Sequence, residues 1–138
     1  MSDRNLDDLH PAIEPLCKQH IAACAAQGVE LLVTCTYRSP EDQAALYAQG
    51  RTAPGPIVTN AQPGQSMHQY RLAYDVVPIR NGKCVWDASD PAWQIVGAIG
   101  VGLGLEWGAN WTGGFVERPH FELTGGHPIS YFEGGGTL

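Results

Sequence analysis

Apolar residues recur at helical spacing in the first part of the chain. One stripe repeats every three or four positions, which predicts an amphipathic helix with a single buried face. The stripe consists of Leu9, Ile13, Leu16, Cys17, Ile21 and Cys24. Pro11 suits the first turn of this helix, and Gly28 suits the position just after its end. The pattern therefore predicts an N-terminal helix over about residues 10–27.

A buried strand and a second helix are predicted next. Residues 29–36 are apolar and β-branched, which is typical of a buried strand. Ser39 is a good helix N-cap, and Pro40 suits the first helical position. This second helix is expected to end near Gln49. Residues 51–65 contain three prolines and no helical period, so they are predicted to form a long loop.

A β-hairpin is predicted around Asn81 and Gly82. The segments 72–79 and 83–86 contain most of the apolar and β-branched residues in this part of the chain. An Asn-Gly dipeptide accepts positive φ at both central positions of a two-residue turn. The two segments are therefore expected to pair as antiparallel strands.

A third helix and two short strands complete the pattern. The Ser-Asp-Pro sequence at residues 89–91 predicts a helix start. One face of this helix carries Trp93, Val96, Ile99 and Leu103. Its glycines indicate close packing or an end near residue 101. Short strands are expected over 105–107 and 119–123. Because helices and strands do not alternate strictly, the predicted fold class is α+β, with a small, mainly antiparallel sheet and packed helices.

Length and charge narrow the choice of partner. The 138 residues predict a single domain over residues 1–138, with a mobile glycine-rich tail at about 133–138. Charged residues make up only 16 % of the chain, the net charge is −6 and Lys and Arg form no cluster, which argues against nucleic acid. No apolar run has the length of a membrane span, so stable membrane insertion is not expected. The acidic N-terminus lacks the features of a signal peptide, so synthesis in the cytoplasm is expected.

The four cysteines are expected to be buried free thiols. Cys17, Cys24, Cys35 and Cys84 form no CxxC pair, and each lies among apolar residues. A thiolate zinc site and a disulfide framework are both disfavoured.

Asp75 is the most informative single residue of the sequence. It lies inside an apolar strand, where a carboxylate is costly to bury unless a cation or several hydrogen-bond donors compensate it. His68 precedes it by seven residues on the approach to the same strand. The spacing alone also fits an ordinary structural pair.

A second candidate group surrounds Pro119. This proline breaks regular strand pairing and allows Glu117 and His120 to converge, although they lie three residues apart. Two His and one Asp, with a nearby Glu that is not a ligand, match the composition of a catalytic zinc site. Spacing alone also fits a surface position for Glu117.

Arg38 ends a buried strand just before a capped helix. From that position its guanidinium can reach into a cleft and hold a substrate carboxylate or polarise a carbonyl. A surface salt bridge to Glu41 or Asp42 is the alternative. The remaining histidines are expected to be structural: His127 in a loop, and His10 and His20 solvated or packed on the first helix.

Several separate motifs, in one order, resemble the L-alanyl-D-glutamate peptidases of phage endolysins and bacterial cell walls. The resemblance runs from about Leu32 to Leu123, roughly two thirds of the chain. Its motifs are Thr36–Ser39, Gln43, Leu46–Thr52, Gly55, Val58–Ala61, Ser66–His68, Ala73–Asp75, Glu106–Gly108 and Glu117–Glu122. These enzymes belong to the zinc peptidases that include D-Ala-D-Ala carboxypeptidases, and they share their fold with the Hedgehog signalling domain.

The resemblance implies a role for each of the candidate residues. It makes His68, Asp75 and His120 the ligands of Zn²⁺. Glu117 becomes the catalytic base, and Arg38 stabilises the oxyanion or orients the substrate. Further substrate contacts are expected at Tyr37, Gln43, Ser66, Tyr70 and Trp107.

The chain departs from the family pattern at Arg71. The family usually has Gly three residues after the first His. If the position needs positive φ, Arg costs stability; if it needs close approach, the cleft is reshaped.

The resemblance also implies a reaction and a place of action. The expected activity is zinc-dependent hydrolysis of the peptidoglycan stem peptide at the L-Ala–D-Glu bond, as in a phage endolysin. The alternatives are a D-Ala-D-Ala carboxypeptidase or dipeptidase and a non-catalytic, Hedgehog-like zinc-binding module. The expected form is a monomer that is made in the host cytoplasm and acts on the cell wall or periplasm after release, with a holin as the export route.

Overall fold

Four helices and five short strands form the fold in the computed structural model, which describes residues 3–112 and 116–138. The helices are α1 (Glu14–Ala26), α2 (Pro40–Ala48), α3 (Ala92–Gly102) and α4 (Ile129–Glu133). The strands are β1 (Glu30–Cys35), β2 (Ala73–Arg80), β3 (Lys83–Cys84), β4 (Glu106–Trp107) and β5 (His120–Glu122). Short 3₁₀ turns occur at Leu6–Asp8, Met67–Tyr70 and Gly108–Asn110.

The strands form one antiparallel sheet in the order β1-β2-β5-β4, and β3 pairs with the end of β2. β2 and β3 form the expected hairpin, in which Asn81 and Gly82 have φ values of 55° and 73°. Such angles suit a two-residue turn that follows the twist of the strands. The predicted α+β class with a small antiparallel sheet is confirmed.

Helices α1 and α3 pack against each other and against the sheet, and the core lies between them. Gly97 and Gly100 of α3 allow this contact, because a Cβ at either position would overlap the ring of Trp107 or Phe121. The glycines of this helix therefore reflect close packing. His20 of α1 is fully buried and bonds both the Tyr74 hydroxyl at 2.6 Å and the Val96 carbonyl at 2.8 Å.

Helix α1 starts later than predicted, at Glu14 rather than near residue 10. Pro15 explains the difference, because proline is tolerated in the first turn of a helix but disrupts its interior. Residues 11–13 form a turn instead, and the Ala12 N–H donates to His10 Nδ1 at 2.9 Å.

One cysteine is also placed differently from the expectation. Cys17, Cys24 and Cys35 are buried free thiols as predicted, but Cys84 is exposed. Strand β3 is only two residues long and lies at the edge of the sheet, so its side chains do not reach the core.

The C-terminal region contains α4, a short helix that the sequence pattern does not reveal. The following residues fold back over it, and the Tyr131 hydroxyl donates to the Thr137 carbonyl at 2.9 Å. The expected mobility of this tail stays a prediction. No helix among the described residues is long and apolar enough to cross a membrane.

Candidate metal centre and active site

The sheet brings Asp75 and His120 together. The two residues are direct partners in the antiparallel register of β2 and β5, and Asp75 is also aligned with Cys35 of β1. His68 comes from the 3₁₀ turn Met67–Tyr70, which begins with a capping box between Ser66 and Gln69. Two strands and one capped turn therefore hold the three residues.

The three side chains converge on one carboxylate oxygen. Asp75 Oδ1 lies 3.1 Å from His68 Nε2 and 3.3 Å from His120 Nδ1. The two imidazole rings lie 4.9 Å apart, centroid to centroid, and are nearly perpendicular. Both histidines are buried, and Asp75 is only 18 % exposed. Two nitrogens and one oxygen thus face a common point.

Each imidazole is fixed by a hydrogen bond from its other nitrogen. His68 Nδ1 lies 2.9 Å from the carbonyl oxygen of Thr36, and His120 Nε2 lies 2.7 Å from Glu122 Oε1. Both partners are pure acceptors, so these nitrogens carry the protons. The nitrogens that face Asp75 can then act as metal ligands once a metal displaces their protons, and such outer contacts are typical of metal-binding histidines.

The Glu122 contact was not expected from the sequence. Glu122 lies two residues after His120 in β5, and residues at that spacing share one face of a strand. That alternation is the signal that identifies Glu122 as a partner of His120.

The electrostatics of the three groups call for a positive charge. Burial alone would lower the pKa of each imidazole, but Asp75 raises the pKa of His68 to about 9 and that of His120 to about 10. Burial would raise the pKa of Asp75, yet the two histidines hold it well below its usual range. The centre therefore favours a cation between an ionised carboxylate and two imidazole nitrogens, which is the chemistry of a divalent metal site.

Cys35 is a further donor near this centre. Ligand atoms of Cys35, His68 and Asp75 lie within 4.8 Å of one another, and Cys35 Sγ lies 3.8 Å from His68 Nδ1. That nitrogen, however, already bonds the Thr36 carbonyl. Cys35 therefore meets His68 at the nitrogen that this hydrogen bond occupies.

Arg38 lies next to the three residues, as the sequence suggests for a side chain at the end of β1. Its Nη2 is 3.5 Å from Asp75 Oδ2, and its Nη1 donates to Gln43 Oε1 at 3.0 Å. Gln69 in turn donates to the Arg38 carbonyl at 3.1 Å. The guanidinium is thus held in one place, with its side chain 15 % exposed.

A cleft of about 550 Å³ opens over this centre. We call it the main cleft; Arg38, His68, Glu117 and His120 all line it. Burial raises the pKa of Glu117, and His120 partly offsets the effect. A carboxyl group with a raised pKa is a stronger proton acceptor than an ordinary one and is suited to accept and return a proton.

The expected substrate contacts are only partly placed in the main cleft. Ser66 lines it. Gln43 is fully buried and holds Arg38, and Trp107 is a core residue whose indole N–H donates to the Arg118 carbonyl at 2.7 Å. Neither residue is among those that line the main cleft, so direct substrate contact stays a prediction for both. Their apolar or helical surroundings bury them, which motif similarity alone does not reveal.

Two further expected contacts, Tyr37 and Tyr70, have structural partners. The ring of Tyr37 lies 4.2 Å below the Arg71 guanidinium, and the Tyr70 hydroxyl donates to the Gly64 carbonyl at 2.6 Å. Neither is among the residues that line the main cleft. Trp111 does line it, with its ring 5.0 Å from that of His120. His127 lies in a loop, as expected, and also lines the cleft.

Arg71 adopts the left-handed conformation, with a φ of 64°. Of the two explanations for glycine at this position, the need for positive φ is therefore correct. The Arg71 side chain gains contacts in return, because it stacks on Tyr37 and donates to the Asp8 carbonyl at 3.0 Å. It ties the N-terminal segment to the turn that carries His68.

Comparisons with known proteins point to one group of enzymes. A family model described as D-alanyl-D-alanine carboxypeptidase, of the M15 peptidases, matches residues 59–123. The chain is 37 % identical over 124 residues to the peptidoglycan L-alanyl-D-glutamate endopeptidase CwlK of Bacillus subtilis. This match covers 84 % of this chain and 74 % of CwlK.

Two other similar proteins match different shares of their own length. An L-alanyl-D-glutamate peptidase of Listeria phage A118 is 33 % identical over 103 residues, and the match covers 71 % of this chain but only 32 % of the phage protein. The D,D-pentapeptidase VanY, solved in complex with Zn(II), shares the fold with a TM-score of 0.64 at 19 % identity, over 91 % of this chain and 78 % of VanY. The matched segment of the family model includes His68, Asp75, Glu117 and His120.

Proposed function

This chain belongs to the M15 peptidase family, and from that premise we propose that it is a zinc-dependent peptidoglycan hydrolase that cleaves the stem peptide between L-alanine and D-glutamate. The observation that carries the proposal is the convergence of His68, Asp75 and His120 beside Glu117. The choice of bond is supported by the L-alanyl-D-glutamate specificity named for the Bacillus subtilis and Listeria phage relatives.

His68 Nε2, Asp75 Oδ1 and His120 Nδ1 would hold the metal. The other ring nitrogens of the two histidines already bond the Thr36 carbonyl and the Glu122 carboxylate. The rings therefore need not rotate to present their ligand atoms. Three protein ligands are typical of catalytic zinc sites, whereas structural sites usually have four. When bound, Zn²⁺ supplies a water of lowered pKa and a Lewis acid for the scissile carbonyl.

Glu117 serves as the proton carrier of the reaction. It lines the main cleft beside His120 and accepts the proton from the attacking water. The same carboxyl group then returns the proton to the nitrogen of the departing D-glutamate residue. Burial raises the pKa of Glu117, which makes its carboxylate a stronger proton acceptor.

Arg38 orients the substrate and stabilises negative charge on its carbonyl oxygen. Its guanidinium lines the main cleft and donates to Gln43, while Gln69 donates to the backbone carbonyl of Arg38. A charge placed before the reaction begins stabilises the transition state without further reorganisation.

The biological setting follows from the substrate. We infer action on the cell wall or periplasm, and the phage relative supports a role in lysis. Export from the host cytoplasm through a holin and a monomeric form remain predictions.

Digestion of purified peptidoglycan tests the proposal. Mass spectrometry is expected to find fragments with a new N-terminal D-glutamate after treatment with the zinc-loaded protein. The Glu117→Gln variant is expected to bind zinc and lose at least about 100-fold in kcat, because removal of a general base costs about 10²–10⁴-fold.

Other products would identify the alternatives. Release of D-alanine without new D-glutamate termini would instead show a D-Ala-D-Ala carboxypeptidase or dipeptidase. Zinc binding without any cleavage would show a non-catalytic, Hedgehog-like module. Either result would contradict the proposed function.

A further inference from the structure

A second groove meets the main cleft at the candidate catalytic residues. It has a volume of about 400 Å³, and Glu117 and His120 line both depressions. Asp75 also lines the second one, which we call the side groove. A chain bound across this junction can extend past the reacting bond in both directions, as the substrate of an endopeptidase must.

The two depressions differ in chemistry. Away from the shared residues, the side groove is mainly apolar and is lined by Ile57, Val58, Trp86, Ala88, Trp93, Val116 and Pro119, with Asp75 and Arg118 as the charged residues among them. The main cleft presents polar and charged groups there, among them Arg38, Asn60, Gln65 and His127. One side of the junction therefore offers a larger share of apolar and aromatic surface, and the other offers mainly polar and charged groups.

The apolar residues of the side groove are unusually exposed. Trp86 is 58 % exposed, and Ile57 and Val116 are each more than 40 % exposed. They come from three separate segments of the chain but lie around one depression. Contiguous exposed apolar surface on a small domain commonly marks a binding site.

Trp93 supplies an independent observation at the floor of this groove. Its ring is 2 % exposed, and its indole N–H is buried with no hydrogen-bond partner among residues 3–112 and 116–138. Such an unpaired donor is uncommon, because a buried polar group without a partner destabilises the fold. The ring lines the side groove together with Trp86.

We propose that the side groove binds the sugar-bearing, N-terminal side of the stem peptide, with the muramoyl ring against Trp86. This inference rests on the proposed function. On that side of the scissile bond lie the methyl group of L-alanine, the lactyl group and a neutral sugar. On the other side lie the free carboxylates of the peptide. The substrate thus has the same asymmetry as the two depressions.

The contact with Trp86 has a simple physical basis. One face of a pyranose ring presents C–H groups, and an exposed indole offers a large apolar face with a negative π-surface. The contact requires no charge, which agrees with the apolar residues that line the groove together with Trp86. The sugar then contributes to affinity although it lies outside the reacting bond.

Two defined substrates test the proposal. One is the stem tetrapeptide linked to its disaccharide, and the other is the same tetrapeptide with an N-acetyl group in place of the sugar. The variants are Trp86→Ala, Trp86→Phe and, as a matched control, Val101→Ala, which removes an exposed apolar side chain of α3 outside both depressions.

The wild-type protein is expected to have the higher kcat/KM for the sugar-linked substrate. The preference ratio is kcat/KM for the sugar-linked substrate divided by kcat/KM for the N-acetyl substrate. Trp86→Ala should reduce this ratio about fivefold to tenfold, mainly through the KM of the sugar-linked substrate. A change of that size is expected when one ring contact is lost. Trp86→Phe should retain most of the ratio, and Val101→Ala all of it.

The outcomes separate the two claims. A preference ratio near one for the wild-type protein, or an unchanged ratio in Trp86→Ala, overturns the inference. If both substrates are still cleaved, the proposed function is unaffected by that result. Failure of the wild-type protein to cleave either substrate overturns the proposed function, and the inference with it.

Discussion

Glu122 determines which nitrogen of His120 faces the metal centre. Its carboxylate binds Nε2 at 2.7 Å, so Nδ1 points toward Asp75. We predict that Glu122→Ala lowers zinc affinity by about 10–100-fold, as is typical when an outer partner of a metal ligand is lost. Competition with a chromogenic chelator measures this change.

Glu122→Gln is the matched control for that experiment. Its amide oxygen can still accept the hydrogen bond from His120, so its zinc affinity should lie closer to that of the wild-type protein. Equal affinity of all three proteins would show that Glu122 does not position His120.

Arg71 combines a strained backbone with stabilising side-chain contacts. Left-handed geometry costs an ordinary residue about 1 kcal/mol relative to glycine. Arg71→Ala keeps the strain and loses the contacts with Tyr37 and Asp8, whereas Arg71→Gly loses the contacts but removes the strain. The glycine variant is therefore expected to be more stable than the alanine variant by about 1 kcal/mol in urea unfolding. The reverse order would contradict the assigned strain.

At the scale of elements, helix α3 depends on two glycines for its contact with the sheet. A Cβ at Gly97 would overlap the Trp107 ring, so Gly97→Ala should lower the free energy of unfolding by about 1–3 kcal/mol. Gly102 of the same helix has open space around it, and Gly102→Ala should raise stability by up to about 1 kcal/mol. Thermal unfolding of the Gly97→Ala and Gly102→Ala variants measures both changes in stability. Similar effects of the two substitutions would argue against the packing described.

His20 links α1 to β2 and α3 and makes their packing sensitive to pH. Burial lowers the pKa of His20, although its bond to the Val96 carbonyl partly offsets this. A depressed pKa means that the contribution of His20 is fully present above about pH 6.5, its unfolded value, and is lost as the pH falls toward the folded value.

The His20→Gln variant isolates that contribution. A glutamine amide can replace both hydrogen bonds but does not titrate. Below about pH 6.5, the unfolding free energy of the wild-type protein should therefore fall relative to that of the variant. A difference that is constant from pH 8 to pH 5 would show that His20 does not titrate with unfolding.

Element boundaries show where sequence patterns stop being sufficient. The hairpin was predictable because Asn81 and Gly82 determine it locally. The start of α1 was not, since the apolar stripe continues through a region where Pro15 restricts the helix. Helix α4 has only five residues, too few for a periodic pattern.

At the scale of the whole molecule, the ligand residues were predictable and their surroundings were not. A carboxylate inside an apolar strand is visible in the sequence, and so are the motifs around His68 and His120. Whether a residue of a motif is exposed, however, depends on packing between distant segments. Gln43 and Trp107 are buried for that reason, and Cys84 is exposed.

The two depressions are likewise a property of the assembled chain. The side groove gathers Ile57, Trp86 and Val116 from segments about 30 residues apart, and no local pattern links them. Their meeting at Glu117 places the candidate catalytic residues between an apolar and a polar surface. This arrangement connects the fold with cleavage inside a peptide rather than at its end.

Anomalous diffraction at the zinc edge, from crystals grown with one equivalent of zinc, tests the central claim most directly. The account predicts one strong peak bound by His68 Nε2, Asp75 Oδ1 and His120 Nδ1, at the end of the main cleft beside Glu117. A peak bound by Cys35 instead, or no peak between the two histidines, would contradict it.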